Sequence, residues 1–266
     1  MEKNKKIAWQ IAALVIVVLI IFFGIRFYEN GYRFSLKTFI ASPGTVEMKG
    51  YDNSYQVFVD GNEKQANPDS SGTARILVSA GAHELVVNRT GYYPWEKNVV
   101  VDSGQTVHIA PFAVPASTNG AVLKKEDAKY KEAQGAISRT TVPTKESPLR
   151  SSDGSIEVYV DERSMVARVV GSSTPPEYFC NPECKSEHQI IALDAEVRGV
   201  DFYPGRNDVL LVAVQNRVFA IEIDTRGTQN FQPVYDGITP TFGVSNGALY
   251  IADAESVFTV QLTPAQ

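Results

Sequence analysis

An unbroken apolar run from Ile7 to Ile25 constrains this chain more than any other feature. It holds no charged residue, and Gln10 is its one clearly polar side chain. At a rise of about 1.5 Å per residue a helix over this run covers roughly 28 Å, one hydrocarbon core. In lipid every backbone N–H and C=O must be satisfied within the segment, so the run predicts a helix. Trp9 near its start and Phe27 and Tyr28 at its end suit the two interfacial belts. A cleaved secretory segment has a shorter apolar core, about 7–15 residues, ending in small residues. Here bulky Phe22, Phe23 and Ile25 occupy that place, and Thr38-Phe39-Ile40-Ala41 is a poor cleavage match. The expectation is an uncleaved signal-anchor that meets the membrane through residues 7–28.

Lys3, Lys5 and Lys6 flank one end of the run and Arg26, Arg33 and Lys37 the other, so the charge bias is weak. Only a handful of residues precede the run and a large polar body follows it. That asymmetry favours a cytoplasmic amino end and an extracytoplasmic body, a single-pass protein of the cell membrane. The chain is slightly acidic, with a pI near 5.3, and has no Lys/Arg stripe interleaved with aromatics, which argues against nucleic acid as a partner. Its two cysteines are compatible with an oxidising compartment without demanding one.

After the juxtamembrane segment, 29–42, Pro43-Gly44 breaks the chain and the periodicity becomes two. Tyr55, Val57 and Val59 alternate with Gln56, Phe58 and Asp60, and Asp60-Gly61 supplies a hairpin turn. Ala74, Ile76 and Val78 alternate into Ser79-Ala80-Gly81, and His83, Leu85, Val87 and Arg89 then share a face. Gly91-Tyr92-Tyr93-Pro94-Trp95 interrupts the pattern, Asn98 to Val101 resumes it, and Thr106 to Ala110 predicts one more strand. Short strands with regular turn signals predict a small β-sandwich over 43–114.

Val57-Phe58-Val59-Asp60-Gly61, Ala80-Gly81-Ala82-His83-Glu84-Leu85-Val86-Val87 and Gly91-Tyr92-Tyr93-Pro94 together resemble the PEGA domain. The chain departs from that family's usual Gly-x-Thr-Pro turn at Gln65-Ala66-Asn67-Pro68. The resemblance implies a non-catalytic surface or envelope module of β-sandwich fold. Tyr92, Tyr93 and Trp95 read in two ways: as an exposed patch for glycans or peptides, or as the cap of a small core.

Residues 115–148 read as a linker. Leu123 to Gln134 mixes Lys and Glu and predicts a short solvated helix with too few apolar residues to bury a face. Strands return over 149–266 with an internal repeat. Val209–Ile223 and Ala248–Leu262 are strand-turn-strand units in phase, with Val218 and Val257 39 positions apart. That is close to the roughly 40–45 of a propeller blade. Ile156–Val160 and Met165–Val170 fit a third copy. The region resembles WD40-like or TolB-like propeller blades, and the expectation is an incomplete propeller-like antiparallel β domain. A closed propeller needs about four to eight blades. Exposed edges then imply self-association or strand addition from a partner, unless the linker or the insertion Gly171–Gln189 covers them.

One constellation carries candidate chemistry: Cys180-Asn181-Pro182-Glu183-Cys184, with His188 beyond it. As a metal site it offers Cys180, Cys184 and His188, with Glu183 or Glu187 as a fourth ligand, but zinc sites usually pair two such elements. A disulfide that pins a surface loop is the simpler reading. His83 and His108 lie on strands, and Asp201, Asp224, Asp236 and Asp253 are scattered over turns and strand ends. Asn88-Arg89-Thr90 is an isolated sequon. No nucleophile elbow, P-loop or dinucleotide fingerprint occurs. The sequence thus predicts a mainly β, membrane-anchored, non-enzymatic envelope protein without a cofactor, which binds a protein or glycan.

Overall fold

The computed structural model describes residues 2–35, 39–117, 119–171, 174–180 and 183–262. Helix α1 spans Glu2–Glu29, and its part from Trp9 to Glu29 is long and apolar enough to cross a membrane. Ile16, Phe22 and Phe23 are among its many exposed apolar side chains. Then come β1 (Arg33–Ser35), β2 (Phe39–Ala41), β3 (Gly44–Lys49), β4 (Tyr55–Val59), β5 (Asn62–Lys64), β6 (Thr73–Val78), β7 (Gly81–Arg89), β8 (Trp95–Val101) and β9 (Thr106–Ile109). β10 (Asn119–Leu123) and helix α2 (Ala128–Arg139) follow. The rest is β11 (Leu149–Arg150), β12 (Ile156–Asp161), β13 (Ser164–Val169), β14 (Glu187–Ala192), β15 (Val197–Phe202), β16 (Val209–Val214), β17 (Arg217–Glu222), β18 (Phe231–Asp236), β19 (Thr241–Ser245), β20 (Ala248–Asp253) and β21 (Ser256–Gln261). The chain is mainly β: an N-terminal apolar helix, then several antiparallel sheets, with no closed barrel among the described residues.

Two compact units form. One contains Met1–Asn53, Val59–Glu84 and Val99–Pro111, the other Ser54–Phe58, Leu85–Asn98 and Phe112–Gln266. In the first, β3 is central in the order β6-β3-β9, antiparallel to β6 and parallel to β9. Val46 and Met48 turn inward from β3, and Ala74, Ile76 and Val78 from β6, as the period of two requires. Gly44 is there because a Cβ would lie 2.2 Å from Val101 Cγ1 and 2.9 Å from the Asp102 carbonyl. Asp60 and Gly61, with φ of 51° and 74°, make the two-residue turn that the Asp-Gly pair predicts.

Strand β8 begins earlier than the pattern suggests. The sequence resumes its alternation at Asn98, yet the strand starts at Trp95, with Trp95, Lys97, Val99 and Val101 all buried. A lysine at an inward position breaks the apolar alternation on which that reading depends.

In the second unit each predicted repeat hairpin is the central pair of its own four-stranded sheet. The orders are β11-β12-β13-β14, β15-β16-β17-β18 and β10-β21-β20-β19. The repeat extends to backbone conformation: Glu162, Gln215 and Ala254, the first residues of the three hairpin turns, have φ of 53°, 50° and 50°. Ile156, Val158, Met165, Ala167, Leu210, Val212 and Ile221 form one core, joined by Phe179 and Ile190.

The segment read as a linker is built into this unit. β10 pairs antiparallel with β21, Asn119 opposite Gln261 and Leu123 opposite Val257, so it covers the edge that β21 would otherwise present. Gly120 permits the approach, since a Cβ there would lie 2.3 Å from the Thr259 carbonyl oxygen. Helix α2 is not a solvated spacer. It buries Ala133 and Ala136 beside Tyr250 and Val257. Its buried face uses small residues, and opposite it Gly243 has no room for a side chain: a Cβ would lie 2.3 Å from the Ala136 carbonyl carbon. Close backbone approach replaces the wide apolar stripe.

Gly243→Ala should therefore lose about 1–3 kcal/mol of unfolding free energy, the cost of forcing a methyl into a filled interior. Gly135→Ala, whose Cβ meets only the flexible Arg139 side chain at 3.4 Å, should instead gain up to about 1 kcal/mol from helix propensity. Denaturant unfolding of the two variants measures both; equal effects would contradict the packing described.

Candidate functional site

A cluster of charge in the second unit surrounds Lys97, which is 1% exposed. Its ammonium donates to Glu222 Oε2 at 2.9 Å and to the Asp224 carbonyl at 2.9 Å, and lies 3.6 Å from Asp224 Oδ2. Glu222 Oε2 also accepts from Asn230 Nδ2 at 3.0 Å and from its backbone N–H at 3.3 Å. Burial pushes the Glu222 carboxyl up; the Lys97 charge and the Asn230 amide oppose it. The Asp224 carboxylate accepts from Arg226 Nη2 at 2.8 Å, and Arg226 Nη1 reaches Glu177 Oε1 at 3.0 Å.

Asn230 extends the contact to backbone. Its Oδ1 accepts from the Glu96 N–H and its Nδ2 donates to the Glu96 carbonyl, both at 2.9 Å. One side-chain amide thus does for β8 what a neighbouring strand would do. Asn98 Nδ2 donates to Thr228 Oγ1 at 2.8 Å, and Gly227 lies so close to the Asn98 carbonyl that a Cβ would sit 2.0 Å from it. A lysine that acts as base or Schiff-base partner must lose its proton and reach a substrate. Lys97 is bound by obligate acceptors and closed to solvent, so it braces rather than reacts. Neither Lys97 nor Glu222 stood out from the sequence. Their one signal was charge at positions in phase with buried neighbours.

His83 is the nearest approach to a Ser-His-Asp arrangement. Its Nδ1 lies 2.7 Å from Asp60 Oδ2, and its Nε2 lies 3.3 Å from Ser79 Oγ but 2.7 Å from the Ser79 carbonyl oxygen. The carbonyl, which can only accept, lies nearer to Nε2 than the hydroxyl does, so the Ser79 hydroxyl is not the favoured partner of the ring. Glu84 N–H donates to Asp60 Oδ1 at 3.0 Å. Desolvation would raise the Asp60 carboxyl, but the hydrogen bonds from His83 and Glu84 hold it below its ordinary value. The group ties the β4–β5 turn to the β6–β7 turn.

The aromatic segment is mostly interior. Tyr92 and Trp95 are 6% and 2% exposed, and only Tyr93 is half-buried. The Arg89 guanidinium lies 4.6 Å over the Tyr92 ring, and the Tyr93 N–H donates to the Val114 carbonyl at 2.9 Å. The reading of Tyr92, Tyr93 and Trp95 as an exposed patch is therefore corrected: two of the three rings serve the core, because β8 begins at Trp95 and turns it inward.

Cys180 and Cys184 are joined by a disulfide, with Sγ atoms 2.00 Å apart. A short 3-10 turn, Glu177–Phe179, leads into it, and the Lys185 N–H donates to the Phe179 carbonyl at 3.0 Å. Phe179 is buried and meets the His188 ring edge-on, with centroids 4.4 Å apart. His188 Nε2 donates to the Ile223 carbonyl at 3.0 Å, and burial lowers its pKa. No group of three or more His, Cys, Asp or Glu side chains converges among the described residues.

No family model and no curated protein matches the chain. Among solved structures it overlaps a DUF3823 family protein from Bacteroides ovatus at 8% identity and a TM-score of 0.23, over 82% of this chain and 95% of that one. A second DUF3823 protein, from Parabacteroides merdae, overlaps at 11% identity and a TM-score of 0.21, over 83% and 98%. A protein described as carbohydrate binding, from Bacteroides uniformis, overlaps at 10% and 0.22, over 80% and 100%. Overlaps this small fix neither ligand nor activity.

Replacing Lys97 with Met should cost about 3–5 kcal/mol, because Glu222 would then be left as a buried, unpaired charge. Lys97→Met with Glu222→Leu should cost clearly less than the sum of the single changes. Chemical unfolding of the full cycle reports this; singles within about 0.5 kcal/mol of wild type, the range of ordinary surface changes, would contradict a buried pair. Thiol labelling of the protein isolated without reductant should modify Cys180 and Cys184 only after reduction. Labelling of both without reductant would refute the disulfide.

Proposed function

We infer that this chain is a single-pass, membrane-anchored extracytoplasmic protein whose β body is a non-catalytic binding or scaffold module. The observation that carries the reading is α1, whose apolar side chains from Trp9 to Ile25 are exposed and suit lipid. The chemistry of the body supports the second half. The groups that look reactive, Lys97, His83 and the two cysteines, are held by other parts of the chain.

In this reading, residues 43–114 are a PEGA-like β-sandwich. The three sheets built on repeated hairpins are blade-like and offer the binding surface to an envelope protein or glycan. The amino end is cytoplasmic. The second reading is a subunit of a surface assembly completed by strand addition, and it is favoured by the strand edges that the sheets leave at their margins.

Carbonate extraction of membranes should leave the full chain in the pellet. Protease added to intact spheroplasts should remove the body after Phe39 while cytoplasmic controls survive. Release by carbonate would refute the anchor, and full protection of the body with an active protease would reverse the topology.

A further inference from the structure

Where α1 ends, the first unit holds an apolar cleft of about 500 Å³. The helix contributes Phe23, Gly24 and Phe27, and the segment after it Tyr32 and Ile40; Tyr28 and Arg33 complete the lining among the described residues. The antiparallel pairing of β1 with β2, Arg33 opposite Ala41, returns the chain so that Ile40 joins the lining. The Phe27 and Tyr32 rings stack with centroids 4.6 Å apart. Gly24 is the one glycine in the apolar run, set between Phe23 and Ile25. A Cβ there would meet no atom within 4 Å, so the missing side chain widens the cleft.

Depth and charge identify what fits this cleft. The helix from Trp9 to Glu29 is about 30 Å long, the thickness of a hydrocarbon core. Phe23 comes six residues before that end, so it lies about 9 Å inside the boundary. Arg33 marks the boundary itself. Its Nη1 donates to the Tyr28 and Tyr32 carbonyls at 2.8 and 2.9 Å, and the guanidinium lies 3.7 Å over the Tyr28 ring. These contacts fix the planar fork at the end of the helix. Among the described residues no carboxylate pairs with it, and its Nε and Nη2 make no hydrogen bond. A cation with free donors beside an apolar slot matches a phosphate joined to a hydrocarbon chain. A lone phosphate would leave the apolar part unfilled, and a soluble peptide would have to enter the hydrocarbon region.

We propose that this cleft binds one anionic phospholipid, with an acyl chain along Phe23, Gly24 and Ile40 and the phosphate on Arg33. A guanidinium matches phosphate oxygens with two parallel N–H donors, and Nε and Nη2 are the two that the chain leaves free. In a bilayer the acyl chain gains nothing by leaving water. Its gain is close contact with the fixed Phe23, Phe27 and Tyr32 rings, the force that also packs helices in lipid. The cleft volume falls within the roughly 300–1,000 Å³ of small-ligand sites. The inference rests on the reading of α1 as a membrane anchor, and gives that anchor a headgroup preference that a plain apolar helix lacks.

The test uses the full chain in phosphatidylcholine vesicles that contain a little phosphatidylglycerol with a photoactivatable diazirine on its acyl chain. Bulk lipid labels any spanning helix without saturation, so the deciding peptide is the one with Ile40, outside α1. Its labelling should saturate and should be competed by unlabelled phosphatidylglycerol. Gly24→Leu puts a side chain into the cleft and suits a helix better than glycine, and should lower the labelling about fivefold or more. Arg33→Gln should also lower it about fivefold, and Arg33→Lys, which keeps the charge without the fork, by less. Labelling around Leu14, which faces bulk lipid, should be unchanged in all three. Ile40 labelling that does not saturate, or that Gly24→Leu leaves as it was, means surrounding lipid only and overturns the proposal. So does a chemically cross-linked dimer that Gly24→Leu abolishes while labelling stays the same, since a second copy then fills the cleft. Either result in protein that still resists carbonate extraction removes the lipid site and leaves the anchor standing; release by carbonate removes both.

Discussion

The C-terminal unit depends on one pairing between distant parts of the chain. β10 enters ahead of the three repeat hairpins and lies beside β21, the last strand of the third, with Gly120 opposite Val260 and Val122 opposite Phe258. Everything from Leu123 to Val257 is held between these two strands. Loop closure over so long a segment has an entropic cost that grows only slowly with length, so the stability penalty is modest. The kinetic consequence is larger, because non-local strand pairing must wait for the intervening chain. α2 then reinforces the closure by packing its small-residue face over Gly243 and against Tyr250.

The interior Lys97–Glu222 pair plays a different part. Moving two ions out of water costs several kcal/mol each, and mutual attraction returns that only when geometry and extra hydrogen bonds are good. Here both conditions hold: each ion has a further polar partner, Asp224 for the lysine and Asn230 for the glutamate. Such a pair adds little net stability over apolar side chains of the same volume. What it adds is register. β8 shifted by one residue would turn Lys97 outward and break the Asn230–Glu96 bracket with it.

The same physics explains what could be read from the sequence and what could not. The three repeat hairpins were legible because each carries an alternating or continuous apolar pattern and a turn, all local. The left-handed residues Glu162, Gln215 and Ala254 confirm that the repeat is one of backbone and not only of composition. β10 was not legible as a strand, since Asn119-Gly120-Ala121-Val122-Leu123 has little intrinsic β preference and becomes a strand through β21. α2 was visible as a helix, but its burial was not, because alanine and glycine carry no apolar stripe. The start of β8 at Trp95 is hidden for one reason: the sequence marks inward positions by hydrophobicity, and the buried Lys97 gives the opposite signal just before Asn98.

Chemically suggestive residues in this chain are turned to architecture by the same device. An acceptor that cannot give a proton occupies the atom a catalyst would need free. For His83 it is the Ser79 carbonyl, 2.7 Å from Nε2. For His188 it is the Ile223 carbonyl, 3.0 Å from Nε2, and for Lys97 the Glu222 carboxylate and the Asp224 carbonyl. Removing such a residue leaves a buried polar group without its partner, so the loss falls on folding. What these side chains do in the fold is hold distant segments of the chain together.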